Sequence, residues 1–247
     1  MRSMRAFQPS AALKTDGVNA SSDSSHAFSL PERQAVYRAI HERRDMRHFS
    51  GGTVADELLQ RLLSAAHHAP SVGFMQPWRF IRIRNLPLRE SVHALVEQER
   101  VLTAQALGVR EDEFMKLKVQ GVLDAAELLV VALPPGREAH VFGRRTLPEM
   151  DLASAACAIQ NLWLAARAEG LGMGWVSIFD PVQLAQLLQM PDGSKPIAVL
   201  CLGSVHAFYD QPMLQAEKWA RRAAQADMVF EDHWGQPAGA PGPASDF

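Results

Sequence analysis

Apolar residues along this chain follow a helical period in some stretches and a strand-like pattern in others. From Leu30 onward the spacing predicts a helix with Val36 and Ile40 on its apolar face. Ser29-Leu30-Pro31-Glu32 gives it capping-box spacing, with Pro in the first turn, where a missing N–H costs little. A second helix, over about 56–68, carries Leu58, Leu59, Leu62, Leu63 and Ala66 at helical spacing. Residues 79–84 intersperse Phe80, Ile81 and Ile83 with arginines and read as a strand. Two charged helices with a break near Gly108 fill 87–124, and a continuous apolar strand, 127–133, closes at Pro134-Pro135-Gly136. An alanine-rich helix follows over 151–169, apolar on most sides and ended by Gly170. Further strands are expected at 173–179 and 197–202, with Asp180-Pro181 capping a short helix between them. A helix apolar nearly all round must be buried on several faces, as a central helix or one at a dimer interface. The coarse architecture is α+β, a mixed sheet with helices on its faces.

The two ends break this pattern. Residues 1–27, with the run Ser21-Ser22-Asp23-Ser24-Ser25, and residues 235–247, rich in Gly, Pro and Ala, show no sustained period and are expected to be disordered. The folded body is then 28–234, without an internal repeat.

Composition adds mainly exclusions. At 247 residues, with 47% hydrophobic and 21% charged residues, the chain suits one sizeable domain. A net charge of −2 gives no electrostatic case for nucleic acid as the main partner. Cys157 and Cys201 each lie in an apolar run and are expected to be buried free thiols; no ligand spacing suggests a metal. No segment reaches the roughly 18 apolar residues of a membrane span, and no apolar signal region is evident, so a cytoplasmic protein is expected.

Chemistry concentrates in three places. In Glu42-Arg43-Arg44-Asp45-Met46-Arg47-His48-Phe49, three guanidiniums surround one carboxylate. Arginine grips phosphate in a bidentate fork, so the cluster suits an anion clamp. Asp45 would repel that anion, and it either pairs with its neighbours or acts on the molecule carrying the phosphate. The run 69–78, Ala-Pro-Ser-Val-Gly-Phe-Met-Gln-Pro-Trp, offers a hydroxyl, an amide and an indole beside exposed backbone. That suits a flat, polar-edged heterocycle, and equally an ordinary helix-to-strand loop with a buried Trp. Glycines in Leu171-Gly172-Met173-Gly174-Trp175-Val176-Ser177-Ile178-Phe179 allow close backbone approach to a ligand. Ser177 is a lone hydroxyl there, by itself compatible with a core Ser bonded to a carbonyl. His67 and His68 are adjacent on a helix and do not point together; surface or packing roles are expected for them, and structural roles for Asp151 and Asn161.

Together, Arg43-Arg44-Asp45-Met46-Arg47, the run 65–78 ending in Gln76-Pro77-Trp78, and residues 160–170 followed by Gly174-Trp175-Val176-Ser177-Ile178-Phe179 resemble the FMN-dependent nitroreductase superfamily. Within it they are most similar to the 5,6-dimethylbenzimidazole synthase (BluB) family, over about residues 30–234. Ordinary nitroreductases usually place a small hydroxyl residue between the second and third arginines; the synthases place Asp, here Asp45. Ser177 is the second synthase-type mark.

The resemblance implies a three-layer α-β-α sandwich in an intertwined homodimer with two shared active sites. It implies oxygen-dependent fragmentation of reduced FMN to 5,6-dimethylbenzimidazole, the lower ligand of cobalamin (vitamin B12), with erythrose 4-phosphate leaving; the flavin is a substrate. Arg43, Arg44, Arg47 and Arg222 would hold the phosphate, with one early arginine free to pair with Glu42 or Asp45. Met46, Ser71, Gly73, Gln76, Val176 and Ile178 would contact flavin. Asp45 would be the general base, held ionised by the arginines, and Ser177 would bond the ring edge or relay a proton. Oxygen chemistry on a flavin needs a closed site, and residues 87–124, with Leu95, Val96, Val101 and Leu102, are the candidate lid. The reductant would be NAD(P)H bound transiently, or a flavin reductase would supply reduced FMN. The competing readings are a generic NAD(P)H:FMN nitroreductase or quinone reductase, and a flavin-binding protein without turnover.

Overall fold

The computed structural model describes residues 26–117 and 119–237. The expected disordered ends fall outside the described residues except at 26–27 and 235–237.

Helix α1 (Leu30–Glu42) starts as the sequence predicts: the Glu32 carboxylate accepts from Ser29 N–H at 2.9 Å and from the Ser29 hydroxyl at 2.5 Å. It buries no residue within this chain. Helix α2 (Asp56–His67) buries Leu59, Leu62 and Ala66. The sheet is formed by β1 (Arg79–Arg82), β2 (Glu127–Leu133), β3 (Gly172–Val176) and β4 (Lys195–Gly203), in the order β1-β2-β4-β3. Every pairing between these strands is antiparallel. Among the described residues parallel pairing is confined to the single bridge Asp45–Met173, so the expected mixed character reduces to that bridge.

All seven residues of β2 are buried, and their alternation separates the layers. Leu129, Val131 and Leu133 face α2 and α6 (Met150–Ala168), while Leu128 and Val130 face α3 (Leu86–Leu107), α5 (Gly121–Asp124) and α7 (Pro181–Leu187). Helices on both faces make this an α-β-α sandwich. The break at Gly108 (φ +55°) separates α3 from α4 (Glu111–Met115), as expected.

Several expectations are corrected. β3 ends at Val176, so Ser177 to Phe179 lie past the strand. Cys157 is exposed on α6, whereas Cys201 is buried. α6 buries one stripe, including Ser154, Ala158, Leu162 and Ala166, and leaves Leu152 and Cys157 outside. Val96 of the candidate lid is fully buried in the core beneath the sheet, so it is not free to cover a ligand; Val101 and Leu102 are exposed. Among the described residues no helix is long and apolar enough to cross a membrane.

Candidate active site

After α1 the chain is pinned to β3. Met46 N–H donates to Met173 O at 2.9 Å, and Trp175 N–H donates to the Asp45 carboxylate at 2.9 Å. The glycines of β3 explain this docking. A Cβ on Gly174 would lie 2.3 Å from Met46 O, and one on Gly172 would lie 2.4 Å from Val205 Cγ1 and 3.1 Å from Met46 Cγ. Close backbone approach is therefore what these glycines permit, and the segment that approaches is the chain's own 45–46. Met46 is 1% exposed, so its side chain belongs to the core.

The arginines divide the work. Arg47 pairs with the second Asp45 oxygen, which settles the expected partner of that carboxylate. Glu42 pairs instead with Arg38, at 3.1 Å, and with Arg167. Arg43 lies over the Trp163 ring at 4.4 Å, and Trp163 Nε1 donates to Arg44 O at 3.2 Å, so this indole seats the turn. Arg44 donates to His41 O at 2.7 Å, to Arg43 O at 2.9 Å and to Asp210 O at 2.9 Å. Its Nε is buried without a hydrogen-bond partner. Tyr209 supports the far side: its hydroxyl accepts from Arg47 N–H at 3.3 Å and lies 2.8 Å from His48 Nδ1.

Arg43, Arg44 and Asp45 line a cavity of about 160 Å³ with Arg222 and residues 212–214. The late-chain arginine expected at the clamp is thus brought to it. A larger, open cavity of about 730 Å³ adjoins, sharing Arg44, Pro212 and Arg222 and adding His41, Lys218 and Arg221. The Arg43 guanidinium holds its proton less firmly than usual, because burial and the neighbouring charges of Arg44 and Arg222 outweigh the attraction of Asp45. Three arginines on the wall of one cavity give it a local excess of positive charge, which an anion would relieve.

Asp45 departs from expectation. Burial raises its pKa, and Arg47, the Trp175 N–H and Arg43 only partly oppose that. The shift makes the carboxylate a stronger base than an exposed Asp, which suits a proton acceptor. Cys201 beneath it is pushed up to about 12 by burial and is an inert thiol.

The other predicted residues are dispersed. Ser177 is exposed two residues past Trp175, about 7 Å further along the chain by strand rise. Val176 is buried in the core and Ile178 half-buried. Ser71 Oγ accepts from Gln76 N–H at 3.0 Å, and Gly73, Phe74 and Gln76 all have positive φ. Val72 N–H donates to Ser154 Oγ of α6 at 3.0 Å. Ser154 and Trp163 are nine residues apart on α6, so the Ser71 loop is anchored about 13 Å along that helix from the arginine cluster. Ser71, Gly73 and Gln76 do not line the arginine cavity.

The packing readings of the remaining polar groups hold. His67 Nδ1 accepts from Trp78 Nε1 at 3.3 Å, His68 Nδ1 lies 2.7 Å from Ser64 O, and Asn161 donates to Ala65 O at 3.2 Å. Buried Asp151 pairs with Arg137 at 2.8 Å and Arg144 at 3.0 Å. No group of His, Cys, Asp and Glu among the described residues could hold a metal. Trp163, Tyr209, Lys218 and Arg221 were not assigned to the site from sequence. The only signal for them was adjacency: Arg221 beside Arg222, and Trp163 inside the alanine-rich helix.

Residues 40–204 match the family described as the nitroreductase family. Two curated relatives are named 5,6-dimethylbenzimidazole synthase. That of Rhodobacter capsulatus is 36% identical over 194 residues, covering 78% of this chain and 94% of its own. That of Rhodospirillum rubrum is 36% identical over 185 residues, covering 73% and 86%. Among solved structures, nitroreductase A of Vibrio parahaemolyticus superposes with a TM-score of 0.64 at 19% identity, over 82% of this chain and 77% of that one. Iodotyrosine deiodinase, bound to FMN and 3-iodo-L-tyrosine, gives 0.62 at 20% identity, over 80% and 98%. The sandwich, the arginine-enclosed Asp45 and these relationships together show that the chain belongs to the nitroreductase family, in its 5,6-dimethylbenzimidazole synthase branch.

Proposed function

We propose that this protein is an oxidoreductase that fragments reduced FMN with molecular oxygen, giving 5,6-dimethylbenzimidazole for the lower ligand of cobalamin and releasing erythrose 4-phosphate. The observation that carries this reading is Asp45: a carboxylate in the wall of a guanidinium-lined cavity, fixed by the Trp175 N–H and Arg47. Simple hydride transfer has no evident use for a carboxylate there.

The residues present fit FMN. Arg43, Arg44 and Arg222 line one small cavity, whose positive charge suits a phosphate. Arg43, Arg44 and Arg222 hold the phosphate, while Arg47 is committed to Asp45. FMN, when bound and reduced, supplies both the carbon skeleton and the electrons taken by oxygen. Asp45 takes a proton from the substrate, and its raised pKa makes it a stronger base for that step. Ser177 bonds the ring edge or relays the proton. Segment 87–124 closes the site against water, with Val101 and Leu102 as its available apolar residues.

The working form is a homodimer. Leu30, Val36, Tyr37 and Ile40 of α1 are each more than 40% exposed, and α6 carries a second uncovered stripe. In the dimer the Ser71–Gln76 loop of one protomer completes the site around the partner's arginines, so that both predicted groups reach one flavin. NAD(P)H or a separate flavin reductase delivers the electrons.

Aerobic incubation of the purified protein with reduced FMN, followed by chromatography, tests this. The expected result is 5,6-dimethylbenzimidazole with matching loss of flavin. Intact, reoxidised FMN accompanied by reduction of nitroaromatics or quinones would make the protein a conventional reductase and leave Asp45 unexplained.

A further inference from the structure

The arm that carries Arg222 has a tie to the body that the proposed chemistry does not require. Trp219 lies between Lys218 and Arg221, both lining the larger basic cavity, and three residues before Arg222, which lines both cavities. Its indole is gripped by the segment that follows α3. The Arg110 guanidinium lies 3.4 Å from the Trp219 ring centre and donates to Trp219 O at 3.2 Å. Phe114 of α4, itself buried, meets the same ring with centroids 6.2 Å apart. Glu113 binds the Arg110 guanidinium through two bonds, at 2.8 and 3.0 Å, which fixes the plane that stacks on the indole. The opposite end of the arm is held by Arg44, through Asp210 O at 2.9 Å.

We infer that Trp219 is a positioning residue: clamped by Arg110 and Phe114, it sets Arg222 against Arg43 and Arg44, so that the segment proposed to cover the flavin and the arm that binds its phosphate move as one. Closing the cover then tightens the phosphate clamp, and an empty clamp loosens the cover. This inference rests on the proposed placement of the FMN phosphate at Arg43, Arg44 and Arg222.

The test compares two oxidised flavins that differ only in the phosphate, by titrating protein into FMN or riboflavin and following the quenching of flavin fluorescence. Wild-type protein prefers FMN. Arg110→Gln, a change at a half-exposed position, is expected to weaken FMN about three- to tenfold, the scale of a cation–π contact, while leaving riboflavin within about twofold. Trp219→Leu should do the same, and Trp219→Phe, which keeps a ring for Arg110 and Phe114, should restore most of the preference. In an Arg222→Gln background, Arg110→Gln should have no further effect on FMN, since both changes act through one contact. Equal weakening of FMN and riboflavin by Arg110→Gln would reduce the contact to general packing, and no weakening of either would make it idle; each result overturns the coupling. If Arg222→Gln leaves the preference for FMN intact, the phosphate placement itself fails and the inference falls with it. That result is distinct from a normal Arg222 effect with a silent Arg110.

Discussion

Gly174→Ala tests how Asp45 is held. The added Cβ would stand 2.3 Å from Met46 O and 3.5 Å from Asp45 Oδ1, and the atom in severe conflict is backbone rather than the end of a flexible side chain. Reaching ordinary contact requires β3 and the 45–46 segment to part by about 1 Å. That separation stretches the Met46–Met173 and Trp175–Asp45 hydrogen bonds, both 2.9 Å, beyond useful length. One neutral bond and one bond to a charged group are worth about 2–4 kcal/mol together. For a chain of this size that lowers the melting temperature by about 5–15 °C. Displacement of a catalytic group by about 1 Å also costs about a hundredfold in rate. Thermal unfolding followed by circular dichroism, together with benzimidazole yield measured well below the new melting point, separates the two effects. Wild-type melting combined with wild-type yield would refute the argument that Gly174 exists to admit the Asp45 segment.

Asp45→Asn should retain FMN, seen by fluorescence quenching, and lose benzimidazole formation; an unchanged yield removes Asp45 from the mechanism. Because burial raises the Asp45 pKa, the acid limb of kcat/KM should lie above the ordinary carboxylate range. The sign for stability follows from the same shift: the folded state favours the protonated carboxyl, so this group's contribution is fullest at acid pH and declines as pH rises through its folded pKa. A pH profile with its acid limb in the ordinary carboxylate range would contradict that. Ser177→Gly should slow fragmentation more than it weakens flavin binding, and equal losses would make Ser177 a binding residue only. Asp151→Asn should destabilise by about 3–5 kcal/mol, because it strands buried Arg144 and Arg137 without their shared counter-charge. Arg144→Met, which leaves the Arg137–Asp151 pair, should cost less in the same melt, and the reverse order would argue against a shared pair.

The elements were legible because they rest on local physics. The capping box of α1, the six-residue apolar run of β2, the Asp180 cap of α7 and the Gly108 break are each written within a few residues of where they act. Errors arose where a neighbour distant in sequence decides. The exposure of Cys157 depends on which side of α6 meets the sheet. In the sequence the glycines at 172 and 174 suggest room for a ligand, whereas in the fold they make room for Met46 and Asp45.

For the site, sequence alone determined the inventory: an arginine cluster around one carboxylate, a late arginine, and the motifs that resemble one branch of a flavoprotein family. Those features are short runs of side-chain chemistry, and they survive without coordinates. Only the tertiary structure decided how they are used. It brought Arg222 to Arg43 and Arg44, gave Arg47 to Asp45, set the Ser71 loop apart along α6, and stacked Arg110 on Trp219. It also set burial against the arginines around Asp45, an effect the sequence does not show, since it reveals only the charges beside the carboxylate.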